Sequence, residues 1–221
     1  MQPPFGRRLP LIVLCGWLAI VAPGSASAAE AQRIVWRTPV AVAISGDGRW
    51  VATANRAAGT VSLVDAEGRL VDECLVGSRP SGIAPRGADR FVVVSETSGD
   101  AVLLSIDEGR LVETGRVHLG YEPRGVALSP DGATAWVPLA ARGAVVAVDL
   151  EALSVSAPIP TAPLPRAVAL SPDGSTVAVA CAAGAEIVLV DGASRQVRSR
   201  HPFKGLNIGQ PAFTPDGATL Y

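Results

Sequence analysis

The chain has 221 residues, a formal net charge of −1 at pH 7 and a hydrophobic fraction of 48%. This composition is sufficient for a large folded core and excludes an intrinsically disordered chain. The net charge is slightly negative, and the basic residues do not cluster in the sequence. Nucleic acid and anionic lipid surfaces are therefore not expected partners.

The first 29 residues have the order of a secretory signal peptide. Arg7 and Arg8 precede an apolar run that ends at Ala22, and a stretch of small residues follows over 25–29. The apolar run of about 14 residues is shorter than the ~20 that a membrane-spanning helix needs. The sequence therefore predicts that residues 1–29 are a cleaved export signal, with no stable membrane span, and that the protein is periplasmic or extracellular.

Residues 30–221 consist of repeats. A proline, an apolar stretch, a turn with an aspartate and further apolar stretches recur about every 42 residues. The prolines are Pro39, Pro80, Pro123, Pro165 and Pro211, and the turn aspartates are Asp47, Asp89, Asp131, Asp173 and Asp216. The repeats are thus 39–79, 80–122, 123–164 and 165–210, with a partial repeat at 211–221.

Each complete repeat is predicted to form four short β-strands. The apolar stretches are rich in β-branched residues, are bounded by Gly, Pro and Asp, and lack the spacing of helices. In the first repeat they are 40–44, 50–54, 61–64 and 70–76. Four-stranded repeats of this length predict an all-β fold, a β-propeller with four complete blades and the start of a fifth. A β-sandwich, the alternative, does not repeat at a fixed interval.

The most conspicuous motif is a turn. Ser-Pro-Asp-Gly stands at 129–132 and at 171–174, and Thr-Pro-Asp-Gly stands at 214–217. Proline fixes the first central φ, aspartate accepts hydrogen bonds from nearby backbone N–H groups, and glycine takes a positive φ, so the motif is interpreted as structural. The second repeat has Gly-Ala-Asp-Arg at 87–90 instead, and its turn is predicted to be looser.

The two ends of the repeat region lack partners within a four-bladed ring. A further strand is predicted at 33–36, and the partial repeat stops early in its second strand. Unpaired strands of this kind leave exposed sheet edges. We therefore expect the sequence to be the N-terminal part of a larger propeller.

The repeats resemble a known family. Residues 123–132 read Pro-Arg-Gly-Val-Ala-Leu-Ser-Pro-Asp-Gly and are followed by Ala-Trp-Val at 135–137, which resembles the YVTN-type β-propeller repeat of secreted bacterial proteins. The four naming letters fall on Ala-Thr-Ala-Asn at 52–55 and are degenerate here. The resemblance covers residues 34–221 and implies a seven-bladed ring. For function it implies a binding module, a sugar-lactone hydrolase, or the propeller domain of a haem-carrying redox protein.

A ligand site is predicted at the mouth of the central channel. The linkers into each first strand and the loops between second and third strands open on this face. The predicted binding residues are Arg79, Glu122, Arg124, Arg166 and Asn207.

Arg124 and Arg166 occupy the same repeat position. Guanidinium groups bind carboxylate and phosphate through two parallel hydrogen bonds, so the pair favours a small anionic ligand. A solvated rim or a salt bridge to Glu122 is the alternative. Glu96, Arg142 and Glu186 are expected somewhat further from the axis.

No catalytic constellation is recognisable in the sequence. It contains no Cys-x-x-Cys-His, Gly-x-Ser-x-Gly or His-Glu-x-x-His motif, and His118 and His201 are too far apart in sequence for a metal-ligand motif. Cys74 and Cys181 are expected in non-adjacent blades, too distant for a disulfide. We therefore expect no catalytic residue, metal or cofactor in this segment. A haem would belong to a C-terminal domain beyond residue 221.

The leading hypothesis is an exported propeller that binds or scaffolds, with a small anionic ligand or a protein as its partner. One alternative is the propeller domain of a periplasmic redox protein linked to c-type haem. The other is a lactone hydrolase, which would need a histidine near the channel axis.

Overall fold

The computed structural model describes residues 37–204 and 208–221, and this part of the chain is all β apart from one 3₁₀ turn at Ala140–Arg142. The predicted signal peptide, the predicted strand at 33–36 and the candidate residue Asn207 lie outside the described residues.

The strands form four antiparallel sheets, one for each complete repeat, which we call blades 1 to 4. Blade 1 contains β1 (Pro39–Ile44), β2 (Trp50–Asn55), β3 (Thr60–Asp65) and β4 (Leu70–Leu75). Blade 2 contains β5 (Pro80–Pro85), β6 (Arg90–Ser95), β7 (Asp100–Asp107) and β8 (Arg110–His118). Blade 3 contains β9 (Ala127–Leu128), β10 (Thr134–Leu139), β11 (Ala144–Asp149), β12 (Ser154–Val155) and β13 (Ile159–Pro160). Blade 4 contains β14 (Pro165–Leu170), β15 (Thr176–Cys181), β16 (Glu186–Asp191) and β17 (Val197–Pro202).

Strands pair in chain order within each blade, and the predicted all-β propeller fold is confirmed. In blade 3 the outer strand is split, because β12 and β13 pair with opposite ends of β11. The core lies between the blades. Successive residues of a strand point to opposite faces. In β6, Phe91 and Val93 therefore pack on blade 1, whereas Val92 and Val94 pack on blade 3.

One backbone hydrogen bond recurs in every blade and determines the geometry of the channel mouth. The residue after the second strand donates its N–H to the carbonyl of the residue before the linker proline, over 2.9 to 3.0 Å. The donor and acceptor pairs are Arg56 and Thr38, Glu96 and Arg79, Ala140 and Glu122, and Ala182 and Leu164. All four acceptor residues have a positive φ, between 45° and 59°. The loop after the second strand is thereby held against the linker.

The Pro-Asp-Gly turns are held by hydroxyl groups. The hydroxyl of the Ser or Thr two residues before the turn aspartate donates to it at 2.5 to 2.6 Å, also in the first repeat, where glycine replaces the proline. The donors are Ser45, Ser129, Ser171 and Thr214. A Cβ added at Gly174 would lie 2.9 Å from Cδ of Pro130, so this turn packs directly on the proline of the turn before it. The motif thus joins neighbouring blades.

The turn of the second repeat is shorter rather than looser, so the prediction there is wrong. Arg86 N–H donates to the carbonyl of Arg90, four residues on, whereas Ser171 N–H reaches Thr176, five residues on. The turn of the second repeat thus has one residue fewer than that of the fourth. Asp89 therefore falls at the position of Ser175 and has no serine hydroxyl to accept a hydrogen bond from. The Nε of Arg86 instead donates to the carbonyl of Gly132 at 2.7 Å, which ties this turn to blade 3.

The partial fifth repeat also departs from the pattern. Pro211 stands three residues before Thr214, whereas the other repeat prolines stand six residues before the equivalent position. Ala212 and Tyr221 exchange backbone hydrogen bonds of 3.1 and 2.9 Å, and Phe213 pairs with Leu220. Pro211 therefore directly precedes the paired residues of this short ribbon and does not occupy the position of a linker proline.

The turn aspartates predict a dependence of stability on pH. Hydrogen bonds from the Ser45 and Ser171 hydroxyls are the main cause that lowers the pKa of Asp47 and of Asp173 to about 2. A folded-state pKa below the unfolded value of about 3.9 adds stability above pH ~4, and this contribution is lost as the pH falls towards 2. Asp173→Asn should therefore be less stable than the wild type at pH 7, and the difference should shrink between pH 4 and pH 2.

Urea unfolding at a series of pH values measures this difference. Asp89→Asn is the matched control, since Asp89 has no serine partner, and it should unfold like the wild type. A stability difference for Asp173→Asn that stays constant from pH 7 to pH 2 would contradict the interpretation.

Candidate ligand site at the channel mouth

The residue after each linker proline is aimed into the channel by an irregularity in the strand. In blades 1, 2 and 4 the pairing register shifts directly after the proline, which leaves Val40, Ser81 and Arg166 out of the ladder. Such bulges redirect a side chain. With Arg124, the equivalent residue of blade 3, these residues line one cavity of about 400 Å³. Arg56 and Gln210 complete its polar lining, and Gln210 Nε2 donates to the carbonyl of Val168 at 2.8 Å.

Two glycines set the wall of this cavity. A Cβ added at Gly82 would lie 2.6 Å from Cα of Gly125, so the backbones of blades 2 and 3 are in contact here. Gly125 also has a φ of 66°, which other residues rarely adopt. The Ser81 hydroxyl donates to the carbonyl of Pro123 at 2.7 Å across the same junction. The inner strands of blades 2 and 3 therefore form one rigid wall.

Three arginines surround one buried acid where blades 1, 2 and 3 meet. Glu96 follows β6 and is only 7% exposed. Its carboxylate lies 2.5 Å from the guanidinium of Arg56, 3.0 Å from that of Arg124 and 3.6 Å from that of Arg79. Of these contacts, that from Arg124 Nη2 has the geometry of a hydrogen bond. Glu96 thus holds blades 1, 2 and 3 together at the channel mouth.

The channel mouth carries more positive than negative charge. Arg166 is exposed and has no acidic partner among the described residues. The Nε of Arg124 is buried and has no hydrogen-bond partner in the described part of the chain. Glu122 is half exposed, and its carboxylate lies 3.9 Å from Arg124. Unused N–H donors and excess positive charge are suited to an anion with acceptor oxygens.

The predicted site residues are brought together in part. Arg79 and Arg124 meet at Glu96, and Arg166 lines the same cavity as Arg124. Glu122 lies 3.9 Å from Arg124 but does not line this cavity. Asn207 lies outside the described residues.

Sequence reasoning missed Arg56, which lines the cavity, and did not foresee that Glu96 contacts Arg124. Both residues directly follow a second strand, and the hydrogen bond to the linker carbonyl draws that position towards the channel. The shared repeat position was a signal available in the sequence. Of the other two residues expected further out, Arg142 stacks over Tyr121, and Glu186 pairs with Arg200 at 2.6 Å.

The remaining reactive groups are dispersed. His118 Nδ1 lies 2.8 Å from Asp100 Oδ1, and His201 Nε2 lies 2.8 Å from the Ser199 hydroxyl. Cys74 and Cys181 are free thiols, and burial raises the pKa of both. Over 37–204 and 208–221, no three His, Cys, Asp or Glu side chains cluster closely enough to hold a metal ion. The same residues contain no helix with the length and apolarity needed to cross a membrane.

Comparison with known proteins shows the fold class. No family model matches the chain, and no curated protein matches it. Hydrazine synthase of Kuenenia stuttgartiensis superposes with a TM-score of 0.77 at 24% identity, over 84% of this chain and 55% of that one. The β-propeller domain of Myceliophteria thermophila Cps50 (Swd1) superposes with a TM-score of 0.71 at 14% identity, over 82% of this chain and 60% of that one. The chain is a β-propeller protein, and it spans little more than half the length of these solved structures.

Loss of the buried acid should weaken the junction of three blades. Glu96→Gln removes the negative charge that neutralises the guanidinium groups of Arg56 and Arg124 in a partly buried site. The free energy of unfolding should therefore fall by about 3 kcal/mol, the low end of the range for a broken buried ion pair. Chemical denaturation followed by circular dichroism measures the loss.

Glu122→Gln is the control for Glu96→Gln. It removes the same charge from the same channel mouth, but Glu122 is half exposed and distant from Arg124. Its cost should stay below about 1 kcal/mol. Equal costs for the two variants would show that burial of Glu96 does not matter.

Proposed function

We propose that this chain is part of an exported β-propeller whose channel mouth binds a small anionic ligand. The observation that supports this most directly is the pairing of Arg124 and Arg166 in one cavity, with the Arg124 Nε unused and Arg166 lacking an acidic partner among the described residues. A carboxylate or phosphate would supply acceptor oxygens to the Arg166 guanidinium and to the Arg124 Nε.

The geometry favours binding over a merely solvated rim. Arg124 Nη2 donates a hydrogen bond to Glu96, which fixes the side chain, while the Nε of Arg124 has no acceptor among the described residues. A preorganised donor loses less entropy on binding than a mobile one. The cavity of about 400 Å³ is within the size range of small-molecule sites.

A lactone hydrolase has less support. Opening a ring ester needs a group that transfers protons close to the substrate. His118 ends the outer strand β8 and His201 lies in the outer strand β17, and neither is among the described residues that line the cavity.

A second candidate is a propeller domain within a larger redox enzyme that carries haem in another domain. The structural similarity to hydrazine synthase, which is by name an enzyme, favours it. In that case, the anionic ligand at the channel mouth could be a group presented by the other domain.

Isothermal titration of the full chain with succinate, citrate and inorganic phosphate tests the proposal. Arg166→Gln should weaken the binding of the best anion about tenfold, the effect of losing one charge-assisted hydrogen bond, and affinity should fall with added salt. Arg90→Gln is the matched control. Arg90 lies beside the Pro-Asp-Gly turns, in a cleft that Asp131 also lines, and this variant should bind like the wild type.

Two results would overturn the proposal. One is the absence of heat for all three anions at millimolar concentration. The other is an equal loss of affinity in Arg166→Gln and Arg90→Gln, because that would indicate nonspecific attraction by charge.

A further inference from the structure

A second cavity lies beside the channel mouth. It has a volume of about 690 Å³ and is enclosed by the loop after β6, residues 96–99, and the linker after β8, residues 119–122. We call it the linker cleft. None of the residues that line the linker cleft lines the channel cavity.

The floor of the linker cleft is rigid backbone. Leu119 and Gly120 both donate their N–H groups to the carbonyl of Gly99, at 2.7 and 2.9 Å. A Cβ added at Gly99 would lie 3.1 Å from Cα of Gly120 and 3.1 Å from Cε1 of His118. The two loops thus touch at glycines, and the His118 ring rests on them.

The linker holds an aromatic side chain in an unusual conformation. Gly120, Tyr121 and Glu122 have consecutive positive φ values of 67°, 53° and 54°. Before Pro39, Pro80 and Pro165, the described linker residues include one left-handed non-glycine residue each, Thr38, Arg79 and Leu164. A second left-handed residue costs about 1 kcal/mol, and such strain concentrates at functional sites. The Tyr121 ring is stacked with the Arg142 guanidinium, 5.2 Å from its centroid, and the residue is still 61% exposed.

A histidine at the same cleft is oriented by an acid. Asp100 Oδ1 lies 2.8 Å from Nδ1 of His118, and Arg116 holds the other oxygen of Asp100 at 3.1 Å. In the neutral imidazole Nδ1 donates to this carboxylate, so Nε2 is left as an acceptor. The His118 side chain is 73% exposed, and Nε2 lies 3.8 Å from the position of a Cβ on Gly120.

The two half-exposed charges that line the linker cleft, Arg79 and Glu122, have opposite signs, and Glu96, which also lines it, is already paired with Arg56 and Arg124. Arg79 is half exposed and lies 3.6 Å from Glu96, beyond hydrogen-bond distance, so it can still donate. Glu122 is half exposed and can still accept. Glu122 would repel an anion in this cleft, and Arg79 would repel a cation. A hydroxyl group is both donor and acceptor and can use either residue.

We infer that the linker cleft is a second binding site and that it takes an uncharged polyhydroxy ligand, a saccharide. The apolar C–H face of a sugar ring packs on Tyr121, whose amphipathic ring offers large area at low entropic cost. Its hydroxyls donate to Glu122 and to His118 Nε2 and accept from Arg79. Arg166, on which the proposed anion binding depends, does not line the linker cleft.

Saturation-transfer NMR on the full chain tests the inference, with maltose, cellobiose, lactose and sucrose as probes. The best probe is then titrated against variants. Tyr121→Ala should raise its Kd about tenfold, because the stacking surface is lost. Tyr121→Phe keeps the ring and should stay within about threefold of the wild type. Tyr221→Ala, which removes the chain's other tyrosine, should bind like the wild type.

Glu122→Gln is a second variant that does not depend on tolerance at position 121. It should raise the Kd of the same sugar about fivefold, because an amide accepts a hydroxyl proton less strongly than a carboxylate. Thermal unfolding of each variant confirms that it is folded.

Three outcomes would overturn the inference. They are the absence of transfer to every neutral sugar, an unchanged Kd in Tyr121→Ala, and binding only of a charged sugar such as glucuronate that is lost in Arg166→Gln. The last outcome would assign the ligand to the channel mouth.

Discussion

The hydrogen bond between the loop after each second strand and the linker carbonyl is the constraint on which the channel mouth depends. It brings the residue directly after the second strand, such as Glu96, beside the residue that precedes the linker proline, such as Arg79. Because the acceptor is left-handed in every blade, the chain turns sharply there, and the residue after the linker proline can bulge into the channel. The cluster around Glu96 follows from this geometry repeated over neighbouring blades.

The apolar layers between blades make that geometry rigid. Each sheet has two apolar faces, so a blade is stable only between neighbours, and the faces of β6 are completed by blades 1 and 3. The inner strands of blades 2 and 3 then approach until Gly82 meets Gly125. Side chains at the channel mouth are therefore positioned by packing far from them.

The two faces of the propeller have different roles. The repeated Pro-Asp-Gly turns join blades on one face, where Gly174 packs on Pro130. On the opposite face the position recurs but the residue type varies. Arg56, Glu96, Ala140 and Ala182 make the same backbone hydrogen bond. The same side chain at this position in every blade would spread charge evenly around the channel. The different side chains instead concentrate charge at blades 1 to 3, which allows a ligand site there.

The sequence by itself determined the all-β class, the four blades and the strand order, because repeat spacing and β-branched stretches are local signals. It also placed Arg124 and Arg166 at one repeat position, which was enough to put both at the channel. Only the tertiary structure decided that Arg56, Arg79 and Arg124 share one buried carboxylate, and that Pro211 and Asp89 do not occupy the positions their spacing indicated. The reason is physical: which charges meet depends on the loop hydrogen bonds and on contacts between blades, and residues distant in sequence carry no local sign of them.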